Sequence, residues 1–135
     1  MKNKFSRLFL FCALVLLIAS CRTAPVYNVS DTTINTGSGK EPTLQQVEQA
    51  ILSAGAVPKP AWSMRVEKPG HIVASLHVRS HTAVVDIAYS TTKYSITYNT
   101  STNLKYDTEE KTIHSNYNGW IQNLDTAIKG KLSAI

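Results

Sequence analysis

The sequence predicts an α+β fold: a two-layer sandwich in which an antiparallel four-stranded meander carries two helices on one face, in the order α-β-β-β-β-α. Four runs between Trp62 and Tyr98 alternate apolar and polar residues, which is typical of strands buried on one side only. One amphipathic helical stripe precedes these runs and a second follows them. Each stripe needs an apolar surface to pack on, and the apolar face of the sheet provides it.

The first predicted helix starts at Thr43, which can accept a hydrogen bond from the backbone of Gln46 while the Gln46 side chain returns one, as in a capping box. Gly55 is expected to end this helix in the left-handed conformation that glycine adopts easily. The apolar positions between them follow helical spacing: Leu44, Val47, Ile51 and Leu52.

Each of the four predicted strands places alternate residues on one apolar face. The members of that face are Trp62, Met64 and Val66, then Ile72, Ala74, Leu76 and Val78, then Ala83, Val85, Ile87 and Tyr89, and finally Tyr94, Ile96 and Tyr98. The opposite face is expected to stay open to water or to a partner. Its members are Arg65, His71, Val73, His77, Arg79, Val84, Asp86, Ser95 and Thr97.

The connection between the first two strands is predicted to be a three-residue loop over 68–70. Such a loop sets Val66 beside Ile72 on the apolar face, whereas a two-residue loop would set it beside Val73 on the polar face. Gly70 is expected to take the positive φ of a bulge-forming position.

The alternation of apolar and polar residues also predicts the strand pairing in the other two hairpins. Val78 is expected to pair with Ala83 around a Ser80-His81 turn, and Tyr89 is expected to pair with Tyr94. Both pairings keep the apolar residues of neighbouring strands on one face.

The second helix is predicted to begin near Ser115, after an irregular stretch over 99–111. Its apolar stripe is broad and has to pack on another element. The stripe consists of Ile113, Tyr117, Trp120, Ile121, Leu124, Ile128 and Leu132.

The first twenty residues have the organisation of an export signal. Lys2, Lys4 and Arg7 form a positive n-region, and the apolar run Leu8–Ile18 follows. Its eleven residues would rise about 16 Å as a helix, which is short against a hydrocarbon core of about 30 Å. We therefore interpret 1–20 as a cleaved signal peptide and not as a membrane span.

The junction Ile18-Ala19-Ser20-Cys21 resembles the lipobox of bacterial lipoproteins, in which an aliphatic residue and two small residues precede an acylated cysteine. The resemblance implies that Cys21 becomes the new N-terminus and holds the protein on a membrane through acyl chains such as palmitate. The next residue, Arg22, is not Asp, which in lipoproteins of the enterobacterial type favours the outer membrane. The alternative is an ordinary cleaved signal peptide that ends beside a cysteine.

Residues 21–41 are rich in Ser, Thr, Asn and Gly, so we interpret them as a lipidated flexible tether and 42–135 as the α+β domain. Cleavage removes three of the 14 basic residues, which leaves 11 against 9 acidic residues. This balance argues against a nucleic-acid partner. Because Cys12 and Cys21 are the two cysteines, the domain is expected to have no disulfide.

Four segments of the C-terminal half are AVVDI (83–87), YSITY (94–98), NLKYD (103–107) and IHSNYNGWIQNL (113–124). These segments resemble a group of small proteobacterial lipoproteins, and the resemblance covers most of residues 43–132. Residues Tyr117, Trp120 and Leu124 are the most recognisable part. The resemblance implies an envelope location and a compact α+β domain, and it carries over no catalytic residue.

The sequence predicts no catalytic or metal site. His71 and His77 share a strand face but lie about 20 Å apart, too far to bind one ion. No serine lies in a recognisable nucleophile motif, and Ser75 near Asp86 is interpreted as part of a solvated polar face. We therefore expect no enzymatic activity, no metal and no cofactor.

Two surfaces remain as candidate binding sites. The open sheet face offers a mildly apolar, cationic patch that suits a protein partner or an anionic glycan. Its members are Arg65, Val73, His77, Arg79 and Val84. The second surface is an aromatic cleft with Tyr106 and Trp120, between the 99–111 stretch and the second helix, where the rings could stack on a sugar or a peptide or else simply pack in the core.

These features together predict a lipid-anchored protein of the cell envelope, at the outer membrane and facing the periplasm. It is expected to act as a non-enzymatic interaction or accessory subunit of an envelope assembly, with an envelope protein as partner. The alternative is a module that binds peptidoglycan or another glycan through the aromatic cleft.

Overall fold

The computed structural model describes residues 22–135. The predicted signal peptide over 1–20 and the predicted lipidation of Cys21 lie outside the described residues. Within residues 22–135, neither helix is both long enough and apolar enough to cross a bilayer. The α+β class is confirmed: two helices accompany a five-stranded antiparallel sheet and a separate two-stranded sheet.

The described chain forms nine elements. In order they are β1 (Thr23–Pro25), β2 (Val29–Thr33), α1 (Leu44–Ala54), β3 (Ser63–Lys68), β4 (His71–Val78), β5 (His81–Tyr89), β6 (Lys93–Thr102), β7 (Thr112–His114) and α2 (Ser115–Leu132). The large sheet has the order β2-β6-β5-β4-β3, and β1 pairs with β7. The predicted four-stranded meander is therefore present as β3 to β6, with β2 as a fifth strand at its edge.

One continuous hydrophobic core joins the sheet to both helices. It includes Ile72 and Leu76 of β4, Ile87 of β5, Ile51 of α1 and Leu124 of α2, all at most 1% exposed. Alternate residues on the opposite side of the sheet are half-buried or exposed. Burial on one side explains why the sequence alternates along these strands.

The predicted start of α1 is confirmed, but the predicted role of Gly55 is wrong. The Gln46 amide donates to Thr43 Oγ1 at 3.2 Å, and the Thr43 amide donates to Gln46 Oε1 at 2.8 Å. Gly55 has a right-handed φ of −60°. A Cβ atom there would lie 2.7 Å from side-chain atoms of Met64, so glycine is needed for close packing rather than for a left-handed turn.

The first hairpin largely follows the prediction. Val66 pairs with Ile72, and Gly70 has a φ of +86°. The predicted three-residue loop is wrong, however: Lys68 pairs with His71, so the connection is the two residues Pro69-Gly70, and the extra residue lies in a bulge between Val66 and Lys68. The bulge keeps the apolar residues of β3 and β4 on the same face.

The second hairpin differs from the prediction by two residues. Leu76, not Val78, pairs with Ala83, and Val78 pairs with His81. The turn is therefore Arg79-Ser80, one residue earlier than the predicted Ser80-His81 and of the same length, with Arg79 at a φ of +55°. A shift of two residues leaves every side chain on its predicted face, so the alternation of apolar and polar residues could not distinguish the two registers. The third hairpin, with Tyr89 paired to Tyr94, is confirmed.

The prediction of a flexible tether over 21–41 is wrong for the part that the structure describes. Strand β2 pairs with β6, and Val29 is only 5% exposed. Beyond β2, the Ile34 amide donates to the carbonyl of Thr92 at 2.8 Å, and the Ser38 amide donates to the carbonyl of Ile135 at 3.0 Å. Backbone pairing with existing elements orders a segment whose composition alone suggested disorder. The folded domain thus begins at or before residue 23.

The stretch over 99–111 is also more regular than predicted. Strand β6 continues to Thr102, with a bulge where Val84 and Val85 of β5 pair with Thr100 and Tyr98. A turn then leads into β7, and Ile113 lies in that strand and not in α2. The predicted start of α2 at Ser115 is confirmed.

Replacing Val29 by Ala tests whether β2 belongs to the core. We expect the free energy of unfolding to fall by about 1.5–2.5 kcal/mol, because the buried isopropyl group is shortened to a methyl group and a cavity remains. The matched control is Val57→Ala, at a position 52% exposed, which should change stability little. Urea unfolding of both variants measures the difference. Equal, negligible effects would indicate a tether.

Candidate binding surfaces

The open face is defined here as the side of the five-stranded sheet that points away from the helices. Its central row runs from Arg65 on β3 through Val73 on β4 and Asp86 on β5 to Thr97 on β6. Val84 lies in the next row, two residues from Asp86 along β5. Val73 and Val84 are both half-buried. As diagonal neighbours on adjacent strands, they form a small apolar centre in a polar surface.

Charges on the open face are largely compensated. Arg65 contacts Glu67, two residues along the same strand. Asp86 accepts a hydrogen bond from His71 Nε2 at 2.7 Å and another from Asn99 Nδ2 at 2.8 Å. The face is thus less cationic than the sequence suggested, which disfavours an anionic glycan and leaves shape and apolar contact as its main binding features.

The other two residues of the predicted patch lie towards one end of the sheet. His77 is exposed at the end of β4, with Nδ1 3.1 Å from Thr82 Oγ1. Arg79 is in the β4–β5 turn and does not lie on the open face, because the turn begins one residue earlier than predicted. The predicted patch is therefore divided. Arg65, Val73 and Val84 lie on the open face, whereas His77 and Arg79 lie at one end of the sheet.

The predicted aromatic cleft does not bring Tyr106 and Trp120 together. Tyr106 stacks on Tyr98 with ring centroids 4.1 Å apart, and both line a surface depression of about 720 Å³. Trp120 does not line this depression; it packs partly buried against the core from α2. The depression therefore offers the rings of Tyr98 and Tyr106 as a stacking surface, without Trp120.

The buried ring of Tyr117 packs against Tyr98 of this aromatic pair. It meets Tyr98 edge-on at 5.8 Å, and its buried hydroxyl has no hydrogen-bond partner among residues 22–135. Burial raises the pKa of Tyr117 and, less strongly, the pKa of Tyr98. Both rings are neutral at physiological pH and act through packing.

A buried polar network under the sheet was not predicted from the sequence. The hydroxyl of Tyr94 donates to Asp125 Oδ1 at 2.5 Å, and Lys129 Nζ lies 2.6 Å from Asp125 Oδ2. Asp125 is only 7% exposed, and burial followed by this hydrogen bond raises the pKa of Tyr94. The available signal was the spacing of Asp125 and Lys129, four residues apart beside the apolar stripe of α2.

This network satisfies its own members. Both carboxylate oxygens of Asp125 have a hydrogen-bond partner, Tyr94 on one and Lys129 on the other. On the open face, Ser75 pairs with Val84 and not with Asp86, and the side-chain hydrogen bonds of Asp86 go to His71 and Asn99. Residues 22–135 contain no cluster of three or more His, Cys, Asp or Glu side chains that could hold a metal ion.

Replacing Tyr94 by Phe should lower the free energy of unfolding by about 1.5–3 kcal/mol, because a buried carboxylate loses one of its two partners. The matched control is Tyr89→Phe. Tyr89 also donates to a carboxylate, Glu48 Oε2 at 2.5 Å, but Glu48 is partly solvated, so a loss below about 1 kcal/mol is expected. Urea unfolding distinguishes the two. A larger loss for Tyr89→Phe would contradict the interpretation.

Comparison with known proteins gives no match for this chain: no family model, no curated protein and no solved structure is significantly similar to it. Any functional interpretation must therefore come from the described surfaces and from the sequence features before them. Among the described surfaces, the open face and the Tyr98–Tyr106 depression are the two that correspond to the candidate sites predicted from the sequence.

Proposed function

We propose that this protein is a non-enzymatic lipoprotein of the cell envelope, akin to the small proteobacterial lipoproteins it resembles, anchored through Cys21 at the outer membrane and facing the periplasm. In this role it is an accessory subunit that binds an envelope protein. The sequence from Ile18 to Cys21 supports the anchor. The observation that carries the binding role is the apolar centre of the open face.

Several properties of the open face suit a protein partner. Val73 and Val84 are held on two central strands, so their positions are rigid and little ordering is needed on binding. Polar groups around them are already hydrogen-bonded, as Asp86 is to His71 and Asn99. An apolar centre with a satisfied polar rim is the usual anatomy of a protein interface.

Site-specific photocrosslinking in living cells tests this role. A photoreactive phenylalanine analogue placed at Val73 or at Val84 is expected to give the same discrete adduct. Gln122, exposed on the opposite layer of the molecule in α2, serves as the control position and should give none. The proposal fails if neither valine position gives an adduct, or if Gln122 gives the same one.

The second candidate is a module that binds peptidoglycan through the depression beside Tyr98 and Tyr106. The observation that favours it is the stacked ring pair, which offers an aromatic surface of the kind that sugars pack on. Loss of such a ring contact would weaken binding about 2–10-fold. This candidate uses a different part of the molecule from the open face.

Sedimentation of the purified protein with isolated cell wall separates the two candidates. Under the accessory-subunit proposal, the wild-type protein stays in the supernatant. Co-sedimentation that is lost in Tyr106→Ala but kept in Tyr27→Ala would instead favour the glycan module, because Tyr27 is an exposed tyrosine outside the depression. A circular dichroism spectrum of each variant controls for folding.

A further inference from the structure

The start of the described chain is attached firmly to the domain. The amide of Ser115 donates to the carbonyl of Arg22 at 3.0 Å, and Thr23 pairs with His114 in the two-stranded sheet. Neighbouring Cα atoms in a chain are about 3.8 Å apart. An acyl chain on Cys21 would therefore emerge directly beside Arg22, with no flexible segment between lipid and domain.

The β4–β5 turn lies at the same end of the molecule as Arg22. His81 Nδ1 donates to the carbonyl of Asn103 at 2.7 Å, and Asn103 Nδ2 donates to Ser80 Oγ at 2.9 Å. The next residue, Leu104, accepts a hydrogen bond from the amide of His114 at 2.8 Å. We call this end the anchor end. It comprises Arg22, the turn Arg79–Ser80, His81, the segment 103–105, His114 and Ser115.

The anchor end is positively charged. Arg22, Arg79 and Lys105 are all exposed there. None of the residues that define the anchor end is acidic, and the nearest acidic side chains along the chain are Asp107, Glu109 and Glu110, in the loop that follows Lys105 and leads to β7. Cations therefore predominate among the residues of the anchor end itself.

The opposite end of the sheet has a mixed charge. Lys68 closes β3 and Lys93 begins β6, and both are exposed. Glu67 precedes Lys68, and Glu41 lies within hydrogen-bond distance of Thr91 in the β5–β6 turn. The two ends thus differ in net charge as well as in their distance from Cys21.

We propose that the anchor end docks directly on the anionic phospholipid headgroups of the bilayer that holds Cys21, so that the domain has one fixed orientation on the membrane. This inference rests on the lipidation of Cys21 in the proposed function and adds to it the surface that meets the lipid. Each basic residue close to an anionic surface strengthens attachment about five-fold. Three such residues beside a covalent lipid are enough to favour one orientation.

This orientation makes the strands run away from the membrane. Strand β6 begins at Lys93 far from the anchor end and finishes at Thr102 beside it, and its ten residues span about 30 Å. The open face, which lies along the strands, is then presented sideways above the bilayer. A partner in the same membrane could reach Val73 and Val84 without displacing the lipid contact.

Two labelled variants of the full lipidated protein, reconstituted in phospholipid vesicles, test the orientation. Thr102→Cys and Thr92→Cys place a fluorophore at the two ends of β6, on exposed threonines about 33 Å apart. Each new cysteine is the only free thiol, because Cys12 leaves with the signal and Cys21 is acylated. In vesicles that contain phosphatidylglycerol and a nitroxide-headgroup lipid, we expect strong quenching at Thr102→Cys and little at Thr92→Cys.

Two further changes separate charge from attachment. Arg79→Asn with Lys105→Asn should reduce the quenching at Thr102→Cys several-fold, whereas the control, Lys68→Asn with Lys93→Asn, changes net charge equally and should have little effect. Asparagine is chosen because Arg79 and Lys105 have φ values of +55° and +54°, which asparagine tolerates. A Gly-Ser linker of about twelve residues after Cys21, with a reach of about 19 Å, should also reduce the difference between the labels.

Flotation of the vesicles keeps the outcomes distinct. Protein that does not float overturns the anchor and, with it, this inference. Protein that floats but shows equal quenching at both labels overturns the docking alone and leaves the anchor intact. A difference that survives the Arg79→Asn and Lys105→Asn changes overturns the phospholipid contact, because short attachment alone would then explain the orientation.

Discussion

Burial of one face of a single sheet is the constraint on which the rest of the structure depends. The described residues contain no cysteine, so the sheet and the two helices are held together mainly by the apolar layer between them. Both helices must cover the same face, which leaves the other face free for a partner. The same burial explains why Asp125 needs both Tyr94 and Lys129, since an unpaired carboxylate in this layer would be costly.

The predictable parts of the fold were those in which side-chain burial leaves a pattern. Alternation located β3 to β6, and the capping box at Thr43 located α1. Strand β2 left no such pattern: it has one buried residue, Val29, and its pairing shifts register before Thr32, with Asp31 at a φ of +47°. It is held by backbone pairing with β6 together with the burial of Val29, and neither produces the alternation that marks the other strands.

The candidate sites were predictable only in part, because they depend on distances between separate elements. Val73 and Val84 could be assigned to the open face by the alternation of apolar and polar residues, whereas the position of Arg79 depended on the residue at which a turn begins. Tyr106 and Trp120 were placed together because both flank one segment, but Tyr106 turns to stack on Tyr98. The partners of Asp125 lie on β6 and α2, and no local pattern connects the strand to the helix.

Under the proposed lipid anchor, the small size of the apolar centre and the closeness of the domain to the membrane would be complementary properties. A stable interface between free proteins usually buries about 1,200–2,000 Å² in total, more than two half-buried valines can supply alone. Attachment of both partners to one membrane acts as a short linker does and raises their effective concentration towards the millimolar range. A fixed orientation increases this effect, because it removes the arrangements in which the open face points away from its partner. A modest surface on β4 and β5 can therefore be sufficient in a lipid-anchored protein where it would be too weak in a free one.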